Sequence, residues 1–539
     1  MSIRGTGQGG AISRLVEAVS VVYGAGLLSP SFLQGLSKAS AKFGSTLAGG
    51  FYGGALRDPA TPAIIDDRGT LTYGEADSGS NALARALAAS GVKAGDSVGL
   101  FARNHRGFAL TQAALDKLGA NTLLLNTGFA APQLREVCER EGVGVVLYDE
   151  EFRPIVAEGT PDLKRFVTWN EVEAPEATID QLIDENDGSE VDSPPRPGRV
   201  TILTSGTTGT PKGARRESKQ QSLDVLIGLM GRIPFRVGMR TFIVAPTFHS
   251  WGGMHLLVGA QLGCTLCLRR RFDPEDTLET IASLRPEGLA VVPVMIQRML
   301  ELPEEVRSRY DTSSLQMVAA SGSALPGELA LRWMNTFGDN LYNLYGSTEV
   351  AHASIAMPDE LRLAPGTAGR APRGVTVKIL DDAGREVPRG ASGRIFVGND
   401  AQFDGYTGGG NKEIIDGLMS SGDVGHFDDN DLLFVDGRDD DMIVSGGENV
   451  FPREVEDLLA NHPEVVEAAV VGVPDQEFGQ RLRGFAVLAP GAAADEAALK
   501  DYVKTNLARY KVPRDIVFLD ALPRNPTGKV LKRKLVEHP

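Results

Sequence analysis

Ten residues, 204–213, read TSGTTGTPKG: three glycines, four threonines, a serine, a proline and one lysine. The stretch has no apolar face, so it is neither a core helix nor a core strand. It follows RVTIL (199–203), which reads as a short strand. Strand, hydroxyl-rich loop, then lysine is a pattern for wrapping a ligand with many acceptor oxygens. Glycine lets backbone N–H groups converge on phosphate oxygens at close range. Here Gly206 and Gly209 give that freedom, the hydroxyls of Thr204, Ser205, Thr207 and Thr208 add donors, and Lys212 adds a full charge. The loop is not a P-loop of the G-x-x-x-x-G-K-[ST] type, because Pro211 precedes the lysine and Gly213 follows it.

Further polar stretches recur downstream. Tyr345-Gly346-Ser347-Thr348-Glu349 follows the strand-like LYNL, Ser421-Gly422-Asp423 and Gly437-Arg438 come next, and Pro526-Thr527-Gly528-Lys529 stands near the end. In this order and spacing, from about residue 50 to about residue 535, the set resembles the adenylate-forming superfamily of acyl-CoA synthetases, luciferases and peptide-synthetase adenylation domains.

The resemblance implies a two-step reaction. A carboxylate attacks the α-phosphate of ATP to give acyl-AMP and pyrophosphate, and a thiol then displaces AMP. Attack of an anion on an anion needs positive charge where the bond forms. Two unit charges ~4 Å apart repel by about 4 kcal/mol at an effective dielectric of ~20. By the resemblance Lys529 supplies that charge, bridging carboxylate and α-phosphate. Glu349 matches the Mg²⁺ ligand, suited to a hard cation shared with phosphate oxygens. Thr348 matches a phosphate contact, Asp423 the acid that accepts the ribose hydroxyls, and Arg438 a second ribose contact. Asn343 and Tyr345 match the positions that address adenine, one by hydrogen bond and one by its ring face. Gly346 matches a cofactor-binding position beside them, and Gly322 and Ser323 resemble the loop on the other adenine face. Asp440, two residues after Arg438, matches the pivot about which the family's lid turns between half-reactions. Gly446 and Gly447 match the lid loop that approaches CoA.

The motif PTFHSWGG, residues 246–253, matches the acyl-pocket motif. Amino-acid-activating relatives carry Asp after the Phe. This chain has His249, which disfavours amino acids and resembles an aromatic gate between acyl pocket and thiol tunnel. Trp251, Gly252 and Gly253 are expected to line the pocket, the two glycines leaving space beside the reacting centre. The apolar text that follows suits a medium- or long-chain fatty acid, with aryl or other carboxylates the alternative. Free CoA is the expected acceptor; a stand-alone acyl-AMP ligase serving a carrier protein is the other reading. Two departures are visible: Ser421 stands where Thr is usual, and the charged Arg215-Arg216-Glu217 follows the glycine loop.

The elements that must position these residues are legible as alternation. SVGLFA, GVGVVLYD, RTFIVAP, GLAVVPV and LQMVAASG are short apolar runs separated by helical patterns. That alternation argues for an α/β class with parallel sheets. After about residue 366, GVTVKILDD, GRIFVGND and LLFVDGR read as a small antiparallel barrel or sheet. A last α+β unit follows. The expected architecture is therefore a large region of two parallel-type sheets with helices plus a small β-barrel, then a mobile α+β lid. The expected boundaries are a helical extension over 1–50, the large domain over 51–437 and the lid over 438–539.

The chain has 539 residues and a net charge of -15, which disfavours nucleic acid as a partner. Three cysteines make no disulfide framework and point to a cytoplasmic setting. Cys264 and Cys267 have C-x-x-C spacing but read as buried strand residues. The apolar part of residues 11–30 falls short of the ~20 residues a membrane span needs. It reads as a helix packed on the domain, with weak peripheral contact at the inner membrane surface left open, as is a dimer. The run Arg269-Arg270-Arg271 reads as a solvated face, with a phosphate or lipid headgroup as the sharper alternative.

Overall fold

The computed structural model describes residues 18–204, 212–215, 223–407, 409–445, 448–475 and 479–538. Two large sheets dominate. The first has eight strands in the order Ala351–Ala356, Leu341–Ser347, Met317–Ala320, Gly288–Val291, Arg240–Ile243, Thr265–Leu268, Pro62–Asp66, Gly69–Thr72. Its inner pairs are parallel and only the two edge pairs are antiparallel. The second has seven, in the order Gly405–Tyr406, Lys212–Arg215, Val200–Thr204, Asn121–Leu124, Ser97–Phe101, Val143–Asp149, Lys164–Trp169. The expected α/β class is thus observed, and the cause is burial on both faces. Gly288–Val291 and Met317–Ala320 are buried at every position, so they read as continuous apolar runs rather than alternating ones.

Helices fill the space between the two sheets. Tyr73–Ala89 begins where Thr72 Oγ1 accepts the Glu75 N–H at 3.2 Å and Glu75 returns a carboxylate to the Thr72 N–H at 2.8 Å. This reciprocal cap satisfies two donors that would otherwise face no partner. Leu83 and Leu87 from that helix, Phe108 and Leu115 from Arg106–Leu118, and Leu100, Phe242 and Leu289 from the sheets share one core. Each such fully buried side chain contributes about 1.5–3 kcal/mol.

A third sheet is antiparallel, joining Thr376–Leu380, Gly393–Gly398, Leu418–Phe427, Ile414–Ile415 and Leu433–Arg438. It is the curled half-barrel expected after residue 366. Arg438 is the last residue of its final strand and lies in register opposite Asp423. The C-terminal α+β region follows. Its sheet pairs Glu448–Val450, Ile443–Ser445, Gly479–Leu488 and Val465–Asp475, with Asp515–Phe518 added in parallel.

Several sequence expectations resolve here. Cys264 and Cys267 are free and buried, and burial pushes both thiols up to about 12. The arginine run is not a free headgroup site. Arg270 and Arg271 both pair with Glu151, Arg270 also pairs with Glu171, and Arg269 faces Asp67 and Asp276. The N-terminal helices pack on the large region: the Val237 N–H donates to the Ala25 carbonyl at 2.9 Å, while Val19, Tyr23 and Leu28 stay exposed. No helix among the described residues is long and apolar enough to cross a membrane.

Candidate active site

Of the candidate residues, His249, Gly322 and Ser323 follow the carboxyl ends of parallel strands, where open α/β sheets bind ligands, while Asp423 and Arg438 lie on the antiparallel sheet and Lys529 in the C-terminal region. Strand Val200–Thr204 leads into the glycine loop. Ser205, Gly206, Thr207, Thr208 and Gly209 lie outside the described residues, as do Gly446 and Gly447 and the side chains of Thr204, Lys212 and Asp440. The strands Met317–Ala320 and Leu341–Ser347 run side by side with Ala320 opposite Asn343. Gly322 and Ser323 follow the end of the first of these strands, and Asn343 on the second is 8% exposed. After Tyr345 the ladder slips by one residue, and Gly346 lies so close to Ala351 that an added Cβ would fall 2.0 Å from its carbonyl oxygen. The slip re-aims the following residues. Ser347 Oγ then accepts the N–H groups of Glu349 and Val350 at 3.2 and 3.3 Å, fixing the turn that carries Thr348 and Glu349.

Asp423 is held by the half-barrel. Ser421 Oγ donates to the Ile395 carbonyl and accepts the Asp423 N–H, both at 3.1 Å. Gly422 between them has φ +80, a conformation side chains resist. This is the physical content of Ser-Gly-Asp: a hydroxyl anchor, a left-handed glycine, and an acid thrown to one side. Asp423 is 9% exposed, and burial raises its carboxyl despite Arg438, Tyr345, Lys529 and Lys412 acting in the other direction. Tyr345 donates its hydroxyl to Asp423 Oδ2 at 2.6 Å, and Arg438 Nη1 stands 3.4 Å from Oδ1. Burial and Asp423 together push the Tyr345 phenol well up, so it stays a donor. The Tyr345 hydroxyl is thus taken up by Asp423, which leaves its ring as the part the resemblance assigns to adenine.

Lys529 enters from the C-terminal region. Its N–H donates to Asn525 Oδ1 at 2.9 Å, and its carbonyl accepts from the Asn525 N–H at 2.9 Å. Gly528, with φ +84, closes this turn. The turn is seated against the large region. A Cβ on Gly528 would lie 2.7 Å from Val294, and one on Gly128 would lie 2.4 Å from Pro526. Gln297 Nε2 adds a hydrogen bond to the Val466 carbonyl at 3.2 Å. Lys529 keeps accessible surface although protein groups stand around its ammonium. Desolvation and Arg438 lower its pKa, with Asp423 and Glu349 opposing. On the other flank, burial and Lys529 lower His249 to about 4, leaving it neutral at pH 7. One lysine therefore feels both acids of the nucleotide side and the histidine of the acyl motif.

His249 caps the helix Ser250–Gln261 without a side-chain cap bond. Asn104 anchors the motif: its Oδ1 accepts both the N–H and hydroxyl of Thr247, at 2.8 and 2.9 Å, and its amide donates to the Ala245 carbonyl. Trp251 is 5% exposed and donates its indole N–H to Val291. Gly252 does not open space, contrary to expectation. An added Cβ would lie 2.3 Å from the Pro246 carbonyl and 2.5 Å from that of Ala245, so the helix start is already pressed on the strand end. Gly253 meets only the Thr247 carbonyl, at 3.0 Å. Gly253, Met254, Leu257 and Val258 form a partly exposed stripe on this helix.

Two residues join the site that sequence reasoning passed over. Tyr406 donates to Glu349 Oε1 at 2.9 Å. Lys412 places its ammonium 3.0 Å from where a Cβ on Gly422 would lie, beside Asp423. Tyr406 sits in a two-residue strand, too short for periodicity to register; the Gly405-Tyr406 pair ahead of the glycine run was its only signal.

Glu349 is fit for a hard cation. It is half-buried, its one hydrogen-bonded oxygen is taken by a neutral hydroxyl, and among the described residues it makes no ion pair within 4.0 Å. Among the described residues there is no cluster of three or more His, Cys, Asp or Glu ligands. A metal at Glu349 would therefore take most of its oxygens from a triphosphate and water.

By its two matching domains the chain is an adenylate-forming ligase. The chain belongs to this family: the AMP-binding enzyme model matches residues 52–407, and the AMP-binding enzyme C-terminal domain matches 454–529. It is 31% identical over 506 residues, 89% of this chain and 94% of the relative, to a fatty acid–[acyl-carrier-protein] ligase of Streptomyces coeruleorubidus. It is 34% identical over 488 residues, 89% and 96% of the two chains, to a 2-succinylbenzoate–CoA ligase of Geobacillus kaustophilus. Among solved structures, the anthranilate CoA ligase AuaEII with anthranoyl-AMP superposes with TM-score 0.83 at 25% identity, covering 91% of this chain and 96% of that one. ATP-bound MatB from Rhodopseudomonas palustris gives 0.81 at 26% identity, with 92% and 98% covered.

Proposed function

We propose that the protein activates a medium- or long-chain fatty acid with Mg-ATP to acyl-AMP and pyrophosphate, then transfers the acyl group to CoA with release of AMP. The observation that carries this reading is Lys529, which lies within electrostatic reach of Asp423, Glu349 and His249 at once. A cation there can hold a carboxylate oxygen and an α-phosphate oxygen together and take up the charge that builds as they join. Asp423, with Arg438 beside it, would accept the ribose hydroxyls. Thr348 and the loop over 204–213, with Lys212, would hold the phosphates, and Asn343, Gly322 and Ser323 would frame adenine. A Mg²⁺ ion at Glu349 would neutralise phosphate charge when bound. Neutral His249 has no charge to pair with a substrate ammonium, and the stripe from Gly253 to Val258 is apolar; both favour an unfunctionalised acyl chain.

For the second half-reaction the C-terminal region would turn about Asp440, withdrawing Lys529 and bringing Gly446 and Gly447 toward CoA. The domain limits this implies are 51–437 and 438–539, after a helical extension over 1–50. A second reading has a specific support: the Streptomyces relative is named for an acyl-carrier-protein acceptor, so a carrier thiol could replace CoA. AMP release with Mg-ATP, measured across fatty acids of several lengths and a few aryl acids, with and without CoA, tests both. Acyl-CoA and AMP together from one chain-length range support the proposal. Pyrophosphate without thioester sends the adenylate to a carrier, and turnover of aryl acids alone overturns the fatty-acid assignment.

A further inference from the structure

The glycine loop and Glu349 belong to different sheets, yet both must meet one triphosphate. A single short segment, 403–407, ties them together. The Phe403 N–H donates to the Glu349 carbonyl at 2.8 Å, and the Tyr406 hydroxyl donates to its carboxylate at 2.9 Å. The same segment then becomes the edge strand Gly405–Tyr406, paired antiparallel with Lys212–Arg215, the strand by which the glycine loop leaves the site. Gly405 lies opposite Arg215 and Tyr406 opposite Ala214. The Thr407 N–H extends the ladder to the Gly213 carbonyl at 2.8 Å. The Phe403 ring packs edge-on against Tyr406 at 4.9 Å between centroids, so the phenol has little freedom to swing.

We infer that Tyr406 is a positioning residue for the metal–triphosphate, orienting the Glu349 carboxylate and locking its place relative to the exit of the glycine loop. An ionised carboxylate offers about four lone-pair directions. A hydroxyl fixed on Oε1 uses one and sets the plane of the group, leaving the remaining directions for a cation and its waters. Partners of this kind orient ligating groups, and removing one typically weakens metal affinity about 10–100-fold. The role rests on Glu349 being the metal carboxylate, as proposed above, and the test separates the two.

Tyr406→Phe keeps the ring, its Phe403 contact and the strand pairing, and deletes only the hydroxyl. Mn²⁺ binding to the enzyme–ATP complex is read by electron paramagnetic resonance, alongside the Mg²⁺ dependence of ATP–pyrophosphate exchange and the affinity for ATP in EDTA. The expected result is a roughly 10–100-fold weaker metal affinity, with metal-free ATP binding unchanged and with conversion of presupplied acyl-AMP to thioester unchanged. Glu349→Gln is measured in parallel. If that variant shifts metal affinity and Tyr406→Phe does not, Tyr406 only packs and the inference falls. If neither shifts it, the metal assignment of Glu349 is wrong and the inference falls with it. If Tyr406→Phe lowers metal-free ATP binding equally, the segment braces the loop alone, which also overturns the role assigned to the hydroxyl.

Discussion

The candidate nucleotide-side acids, Glu349 and Asp423, sit in hydrogen-bonded frames. Ser347 holds the turn of Glu349, Ser421 the backbone of Asp423, and Tyr406 and Tyr345 hold the two carboxylates by their hydroxyls. On the acyl side Asn104 fixes the motif backbone, but beyond it the surface is shaped by packing: Trp251 against the sheet, Gly252 against two carbonyls, and an apolar stripe from Gly253 to Val258. Charge recognition needs particular atoms at particular distances, so one side admits few alternative residues. An apolar cavity needs only volume, and many residue sets supply the same volume. A family can therefore keep the first side while varying the second.

The bluntest way to break the comparison is Lys529→Ala, which removes the group proposed to bridge both sides. ATP–pyrophosphate exchange is expected to fall about 10²–10³-fold, the usual loss on removing one transition-state donor. Thioester formation from presupplied acyl-AMP should persist. Undiminished exchange would mean that the two sides are bridged by something else. Asp440→Pro should do the reverse, leaving exchange near wild type while slowing thioester formation. Equal loss of both would remove Asp440 as the pivot.

On the acyl side, Gly253→Leu and Gly252→Ala should part company. The first should shorten the preferred acid, read as a shift in kcat/KM across chain lengths, with Tm nearly unchanged. The second should leave chain-length preference alone and lower stability by about 1–3 kcal/mol in a denaturant titration, the common scale for overpacking. A chain-length shift from Gly252→Ala would restore it to the pocket.

At neutral pH the smallest expected effect concerns His255, buried against Trp251 and Phe235 with neither ring nitrogen hydrogen-bonded among the described residues. Burial lowers its pKa from 6.5 to about 3. Between those values the unfolded chain binds a proton that the folded chain refuses, so stability is full above pH 6.5 and declines as pH falls through the window. His255→Phe should flatten this part of the stability–pH curve. An unchanged slope would show that the imidazole accepts its proton in the folded state.

The α/β class and the antiparallel barrel or sheet after residue 366 were legible because each rests on local alternation of runs; Asp423, Arg438, Glu349 and Lys529 stood out only through the family resemblance of the motifs that carry them. Tyr406, Lys412 and the tight seat of Gly252 were not. Each depends on a contact, 406 with 349 across 57 residues, 412 with 422, and 252 with 245 and 246, that no local periodicity encodes. The arginine run shows the converse: three adjacent charges look like an open patch in text, yet they meet Glu151, Glu171, Asp67 and Asp276 from other elements.

The seat of the Lys529 turn has a calorimetric meaning. Pro526 and Gly528 press on Gly128, Val292 and Val294, largely apolar surface, with the Gln297–Val466 hydrogen bond beside them. Closure of such a seat releases ordered water more than it forms directional bonds, so near room temperature its driving force is entropic and its signature a negative heat-capacity change. Cooling therefore loosens it. If the C-terminal region turns as proposed, its two postures should redistribute with temperature even when every ligand concentration is held constant.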